Sequence, residues 1–332
     1  MPGVPTWLKD RSVESLVHEL ARVAPDFAGG NVVLHPWIEQ SDPKWSSGSA
    51  TIDERFVVKF GWSELAAQRL WHEIRVLDAL APERTSLRIP RVLFRSDDPV
   101  ILVTELVPGD PLTSEADVRC RPHHVDRTAT ELARFLSKLH EPGVLSFVEG
   151  ALDPLPAPMP QATTDELRQG IAQWIRTDQL ETVRTWCDWV DRVQGVPGGR
   201  VFVHGDLHGY NQVWDLDEHI LRVVVDFEHG GAHEPEFDFR YLPSQGTGMG
   251  LLRATVAKYE TLSGRTLRIT RVMAWHIRTM LGDALWRSRA GVTLPDGGTP
   301  EAWVDELGHR LDALDEEIDG KAPDADDWLS AP

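Results

Sequence analysis

Val201-Phe-Val-His-Gly-Asp-Leu-His-Gly-Tyr-Asn-Gln-Val-Trp214 and, a little further on, Val223-Val-Val-Asp-Phe-Glu228 decide how this chain is to be read. Val201 to Val203 and Leu221 to Val225 are short apolar runs rich in β-branched residues and bounded by turn formers, the pattern of buried strands. His204 to Asn211 is then a loop leaving the first strand. Three oxygen-bearing side chains, Asp206, Asn211 and Asp226, fall where the two strands end. Taken singly, an Asp after a strand is a turn or cap residue.

Their joint spacing points to phosphoryl transfer. Asp206 and Asn211 stand five positions apart, as do the catalytic-loop Asp and Asn of kinases, and Asp226 opens Asp-Phe-Glu where kinases carry Asp-Phe-Gly. The motif His204-Gly-Asp-Leu-His208-x-x-Asn211, followed by Asp226, resembles that of the aminoglycoside phosphotransferase family, which is similar in fold to protein kinases. The resemblance covers most of the chain. It implies an α+β, bilobal, protein-kinase-like fold: an N-terminal nucleotide-binding lobe over residues 1–107 with an antiparallel sheet and one key helix, and a mostly helical catalytic and substrate-binding lobe over 108–332.

The resemblance also implies roles. Asp206 receives or orients the proton of an attacking hydroxyl, while Asn211 and Asp226 hold Mg²⁺, which needs few protein ligands because it keeps several waters. ATP or GTP supplies the phosphate. His208, two positions after the expected base, is a candidate to approach the transferred phosphate. Gly205 stands where protein kinases carry an Arg that pairs with an activation-loop phosphate, and no Ala-Pro-Glu follows Asp226, so a constitutively active small-molecule kinase is expected. Glu228 in place of Gly argues against an in/out switch of that segment. Asp238 matches a family Asp that holds the following segment in place, a structural role.

Upstream, Ser12 to Val23 carries a helical stripe after a Ser cap, and Asn31 to His35, Ser49 to Ile52 and Phe56 to Phe60 read as strands. The loop Glu39 to Gly48 lacks Gly-x-Gly-x-x-Gly, so in a kinase-like lobe backbone amides and the hydroxyls of Ser46 and Ser47 would meet the phosphates. Lys59 interrupts an apolar strand, where an ammonium costs free energy without a partner. Helix Glu64 to Leu80 presents Leu65, Leu70, Trp71, Ile74, Leu77 and Leu80 as a core face, and Glu73 on it could reach back to Lys59. A strand Lys paired with a helix Glu holds the α- and β-phosphates in kinases. The competing reading has Lys59 snorkelling at an edge and Glu73 solvated; the downstream motif favours the pair.

Pro90 to Phe94 and Val100 to Thr104 read as a hairpin around Ser96-Asp-Asp-Pro99. Glu105 to Asp110 breaks the pattern as a hinge, and the family binds adenine through backbone groups near Glu105 and Val107. Asp126 to His140 is an amphipathic helix, Gly143 to Gln161 a Pro-rich irregular stretch, and Thr163 to Val193 one or two helices whose tryptophans suit the core and whose carboxylates suit a substrate cleft. Helices are expected at Leu251 to Ser263, Ile269 to Ala290 and Pro300 to Ile318.

Composition bounds the partners. With 34 Lys and Arg against 52 Asp and Glu the formal charge is −18, which repels nucleic acid and anionic membrane and weakly supports a cationic substrate. Hydrophobic residues at 41% and charged residues at 26% suit a soluble globular chain. Cys120 and Cys187 offer neither a disulfide framework nor a zinc set, and Met1 to Asp10 carries no charged-then-apolar leader, so a reducing cytoplasm is expected. The acceptor is a small hydroxylated molecule: an aminoglycoside or other antibiotic first, with a macrolide, a nucleoside antibiotic, choline or homoserine as alternatives. A rival from another class is a metal hydrolase built on His204, Asp206 and His208, completed by Asp226, His229 and His233. An idle kinase-like binding module is the second rival, disfavoured because binding needs no base.

Overall fold

The computed structural model describes residues 5–10, 12–35, 47–112, 122–152, 161–195 and 198–318. The N-terminal part is a five-stranded antiparallel sheet, ordered β1-β2-β3-β5-β4. Its strands are β1 (Val32–Leu34), β2 (Ser47–Ile52), β3 (Phe56–Gly61), β4 (Val92–Asp97) and β5 (Val100–Glu105). Helix α1 (Val13–Val23), capped by Ser12 Oγ accepting from Ser15 N, packs Leu16 and Leu20 with Val58, Phe60, Ile101 and Val103 into one core. Side chains alternate across a strand, so Lys59, between Val58 and Phe60, is directed to the other face. There Leu102, its cross-strand partner, packs with helix α2 (Glu64–Leu80).

Ser63 caps α2 by accepting from Ala66 N. The buried positions 66, 70, 73, 77 and 80 follow the 3.6-residue period, which puts Glu73 on the core stripe with its side chain 2% exposed. The expected core face is corrected at Leu65, which is exposed. Burying a side chain such as Leu77 contributes about 1.5–3 kcal/mol, and Leu77→Ala would cost about 2–5 kcal/mol through the cavity left between helix and sheet.

The rest of the chain is mostly helical: α3 (Pro122–Leu139), α4 (Pro142–Ala151), α5 (Thr164–Gly170), α6 (Leu180–Gln194), α7 (Met249–Ser263), α8 (Ile269–Ala290) and α9 (Pro300–Ile318). Two small antiparallel sheets carry the catalytic-loop motif. One joins β6 (Asp110–Pro111), β8 (Gln212–Asp215) and β9 (Ile220–Val224); the other pairs β7 (Val201–Val203) with β10 (Gly231–His233). The larger core runs without interruption from α2 through α3, α6 and α8. Trp186 and Trp189 belong to it and Trp174 packs against it.

The irregular reading of Gly143 to Gln161 is corrected over its first part, where α4 forms. Pro142 occupies its first turn, where no amide partner is lost, and Val144 and Val148 make a buried i, i+4 pair. Cys187 is buried, whereas Cys120 and Ala322 to Pro332 lie outside the described residues. Among the described residues no helix is long and apolar enough to cross a membrane.

Candidate active site

Two backbone devices aim the motif residues. After β7, Gly205 turns at φ +84°, and a Cβ built there would stand 2.1 Å from His229 O. After β9, Asp226 adopts the left-handed conformation at φ 69°. That conformation is costly for a residue with a Cβ and is held by its surroundings: the next amide, Phe227 N, donates to Glu73 Oε1 at 3.3 Å, and the Phe227 ring is fully buried 4.5 Å from His204.

Asp238 clamps the catalytic loop from beneath. Its completely buried carboxylate accepts from His204 N and Gly205 N, both at 2.9 Å, and from His140 Nε2 at 3.1 Å. Burial alone would raise this carboxyl, but these donors and the nearby imidazoles hold it below the usual range. The geometry agrees with the structural role expected from the sequence. The loop also closes on itself: Asn211 Nδ2 donates to Asp206 O at 2.8 Å and His208 N to the same oxygen at 2.9 Å.

Lys59, Glu73 and Asp226 converge, although 167 positions separate the first from the last. Lys59 Nζ donates to the Glu73 oxygens at 2.7 and 2.9 Å and to Asp226 Oδ1 at 3.1 Å. Burial opposes the charge on Lys59, and Asp226 and Glu73 outweigh it, so its pKa is raised and it stays an ammonium. Asp226 is pushed up by burial but brought below the ordinary value chiefly by Lys59.

Asp206 is also ionised. Burial would raise it, yet His208, His229 and Arg240 hold it well below the usual carboxylate range. His208 Nε2 lies 3.5 Å from Asp206 Oδ2, and this carboxylate, with Asp226, raises the imidazole against the effect of burial. The opposite oxygen, Oδ1, accepts from Tyr241 Oη at 2.7 Å.

The remaining expected residues are placed as follows. Ser47 opens β2, and its Oγ accepts from Arg69 on α2 at 3.2 Å; Ser46 lies outside the described residues. Glu105 closes β5 with its amide donating to Arg91 O at 3.1 Å, and Val107 follows in the connecting stretch. Asp178, Glu181, Asp188 and Asp191, suited on sequence to a cleft, are instead engaged by Arg176, Arg184 and Arg168. Sequence reading missed Tyr241 and Arg240, which touch the loop from 35 positions away, and His140, which reaches Asp238 beneath it from 98 positions away. No local signal could have found them.

The geometry does not suit the hydrolase alternative. His204 Nε2 donates to Val225 O at 2.8 Å and its Nδ1 accepts from Asp206 N at 3.1 Å, so neither nitrogen is free for a metal. His229 pairs with Glu228 at 3.2 Å, and His233 packs against Phe237 and Trp275. Among the described residues no three His, Cys, Asp or Glu are grouped to hold a metal ion.

A hard divalent cation fits a different donor set. The amide nitrogen of Asn211 is committed to Asp206 O, which leaves its oxygen as the coordinating end, and the Asp226 side chain is 37% exposed beside the bound Lys59. Two oxygen ligands suffice for Mg²⁺ carried on nucleotide phosphates.

Solved structures similar to this one share the fold. A mutant of aminoglycoside 2'-phosphotransferase-IIIa in complex with GDP aligns at a TM-score of 0.66 and 18% identity, covering 93% of this chain and 98% of that one. An ADP-bound aminoglycoside phosphotransferase aligns at 0.57 and 17% identity over 90% and 96% of the two chains. The macrolide 2'-phosphotransferase of Brachybacterium faecium aligns at 0.57 and 18% over 89% and 98%. No curated protein sequence matches significantly. The profile of the Phosphotransferase enzyme family matches residues 39–275, a stretch that runs from the N-terminal sheet through Lys59, Glu73, Asp206, Asn211 and Asp226 into α8. Matched over well more than half of its length, the chain belongs to that family.

Proposed function

We propose that this enzyme transfers the γ-phosphate of ATP or GTP to a hydroxyl of a small molecule, with an aminoglycoside or another antibiotic as the acceptor. The observation that carries the reading is the convergence of Lys59, Glu73 and Asp226 next to an ionised Asp206. In this reading Lys59, steered by Glu73, holds the nucleotide phosphates in line. Asp206 accepts the hydroxyl proton. His208, whose imidazole pKa is raised by its carboxylate neighbours, faces the growing charge on the transferred group. Asn211 and Asp226 hold Mg²⁺, which when bound neutralises phosphate charge. Positioning and charge supply most of the rate in such chemistry.

Ser47, with Ser46, covers the phosphates, and backbone groups at Glu105 and Val107 receive the base. We assign residues 1–107 to the nucleotide lobe and 108–332 to the catalytic and acceptor lobe, with the cytoplasm as the place of action. Kinship in fold with aminoglycoside and macrolide phosphotransferases supports an antibiotic acceptor of either class. Likeness in fold to a macrolide phosphotransferase makes a macrolide the second reading.

The test is phosphate transfer from MgATP and MgGTP to kanamycin, gentamicin, streptomycin and a macrolide, read by mass gain of the acceptor. Asp206→Asn should lower turnover on the order of 10²-fold or more while leaving the fold intact. Equal turnover by wild type and variant would remove Asp206 from the chemistry.

A further inference from the structure

Asp206 is gripped by groups that the roles assigned above do not use. Tyr241 Oη donates to Oδ1 at 2.7 Å, while Oδ2 faces His208 Nε2 at 3.5 Å. Behind Tyr241 stands Arg240, 1% exposed. Its guanidinium donates to Phe237 O at 2.9 Å, Gly205 O at 2.6 Å, Thr279 Oγ1 at 3.1 Å and Tyr241 Oη at 3.3 Å, and reaches within 3.8 Å of Asp206 Oδ1. It thereby ties the catalytic loop to the segment Pro235–Ser244 and to α8.

This network has only one sense. A guanidinium has donors and no acceptor, so Arg240 can meet the Tyr241 hydroxyl only at its oxygen. The hydroxyl proton is then left to Asp206 Oδ1. Burial pushes the Tyr241 hydroxyl well above its ordinary range, so the proton stays on the phenol. The ring is wedged as well, with the edge of His208 5.6 Å away at 90° and the Arg240 Cζ 4.3 Å from its centroid. Ser244 Oγ donates to Tyr241 O at 2.9 Å and fixes the backbone. Nothing in the phosphate-binding set reaches Oδ1, so that oxygen is spoken for by the fold itself.

We propose that Tyr241, set by Arg240, is a positioning residue for phosphoryl transfer: it takes up Oδ1 of Asp206, fixes the plane of the carboxylate, and leaves Oδ2 beside His208 to receive the proton. The inference rests on the phosphotransferase reading. In the step it serves, the acceptor oxygen bonds to the γ-phosphorus as the bond from that phosphorus to the bridging oxygen breaks. The electron pair leaves with the nucleoside diphosphate, and the acceptor proton passes to Asp206 Oδ2. A carboxylate free to rotate would present this atom only part of the time, and small misplacements of a reacting group are costly.

Tyr241→Phe removes the hydroxyl and keeps the ring, so the variant is expected to fold with wild-type thermal stability. Release of ADP from MgATP and of GDP from MgGTP is measured with water alone and with kanamycin or a macrolide added. Turnover of Tyr241→Phe should fall on the order of 10-fold with the nucleotide KM within about two-fold of wild type. A role limited to packing would leave kcat unmoved, and that result overturns the proposal. A fall in kcat matched by an equal rise in nucleotide KM overturns it too, since the defect would then lie in nucleotide binding. If wild type releases no nucleoside diphosphate under any condition, the phosphotransferase reading fails and takes this inference with it.

Discussion

Lys59 and Glu73 meet through two hydrogen bonds, 2.7 and 2.9 Å, across the interface between β3 and α2, and the same ammonium reaches Asp226 at 3.1 Å. One cation thus joins the N-terminal sheet, its helix and Asp226. Phe227 N adds a bond from the segment after Asp226 back to Glu73, and His72 Nε2 donates to Gly230 O at 2.7 Å. With Arg69 lying 3.8 Å from Glu228, α2 is fastened to residues 227–230 at three further points.

Replacing Glu73 by Ala leaves Lys59 with Asp226 alone. A fully buried pair that loses one member costs about 3–5 kcal/mol; with the Lys59 side chain 22% exposed, the expected loss is about 2 kcal/mol. The nucleotide KM should rise on the order of 10-fold, because the ammonium is no longer steered. Urea denaturation and nucleotide titration measure the two effects separately, and an unchanged KM would confine the pair to stability.

Asp226→Asn keeps the shape and removes the charge that a divalent cation needs. The Mg²⁺ concentration for half-maximal turnover should rise by about 10-fold or more. Chelation by EDTA should abolish wild-type turnover reversibly. Turnover that persists without any divalent cation would exclude the assignment of Asn211 and Asp226 as metal ligands.

Gly205→Ala tests the turn that presents Asp206. The added methyl meets the backbone carbonyl of His229 at 2.1 Å and must adopt a positive φ. Backbone cannot step aside as a flexible side chain would, so about 2–4 kcal/mol of stability should be lost. Differential scanning calorimetry should show a lowered Tm, with turnover falling in the molecules that remain folded.

His276 gives the fold a pH dependence. Burial, with Arg310 beside it, pushes its pKa from 6.5 to about 3, while its Nδ1 donates to Arg240 O at 2.7 Å and its Nε2 accepts from Arg310 at 3.2 Å. The unfolded chain takes up this proton near pH 6.5 and the folded chain only near 3, so the unfolded state binds more protons in between. Stability from this residue is therefore complete above the unfolded value and declines as pH falls, by about 2 kcal/mol at pH 5. Comparing urea midpoints of wild type and His276→Gln at pH 7.5 and 5 should show a smaller decline in the variant. Parallel declines would assign the acid sensitivity to other groups.

Much of the architecture was legible in the residues because it rests on local rules. Apolar runs bounded by turn formers marked β3 and β5, a spaced apolar face marked α2, and the five-residue step from Asp206 to Asn211 survives folding because a short loop fixes both ends. Even Glu73 could be picked, since it falls on the buried stripe of its own helix. The Pro-rich reading of Gly143 to Gln161 missed the start of α4, because Pro142 opens that helix at its first turn and the burial of Val144 and Val148 against the core holds it.

What the sequence determined by itself is the reaction class, through Asp206, Asn211, Asp226 and a lysine–glutamate pair at spacings that one fold brings together. Tertiary structure alone decided which groups hold them. Tyr241, Arg240 and His140 act across 35 to 98 residues, through contacts that no local periodicity encodes, and the arginine partners of Asp188 and Asp191 emerged the same way. Hydrogen bonds are short-ranged and directional, so which oxygen of Asp206 takes the Tyr241 hydroxyl and which is left to His208 depends on where the chain returns.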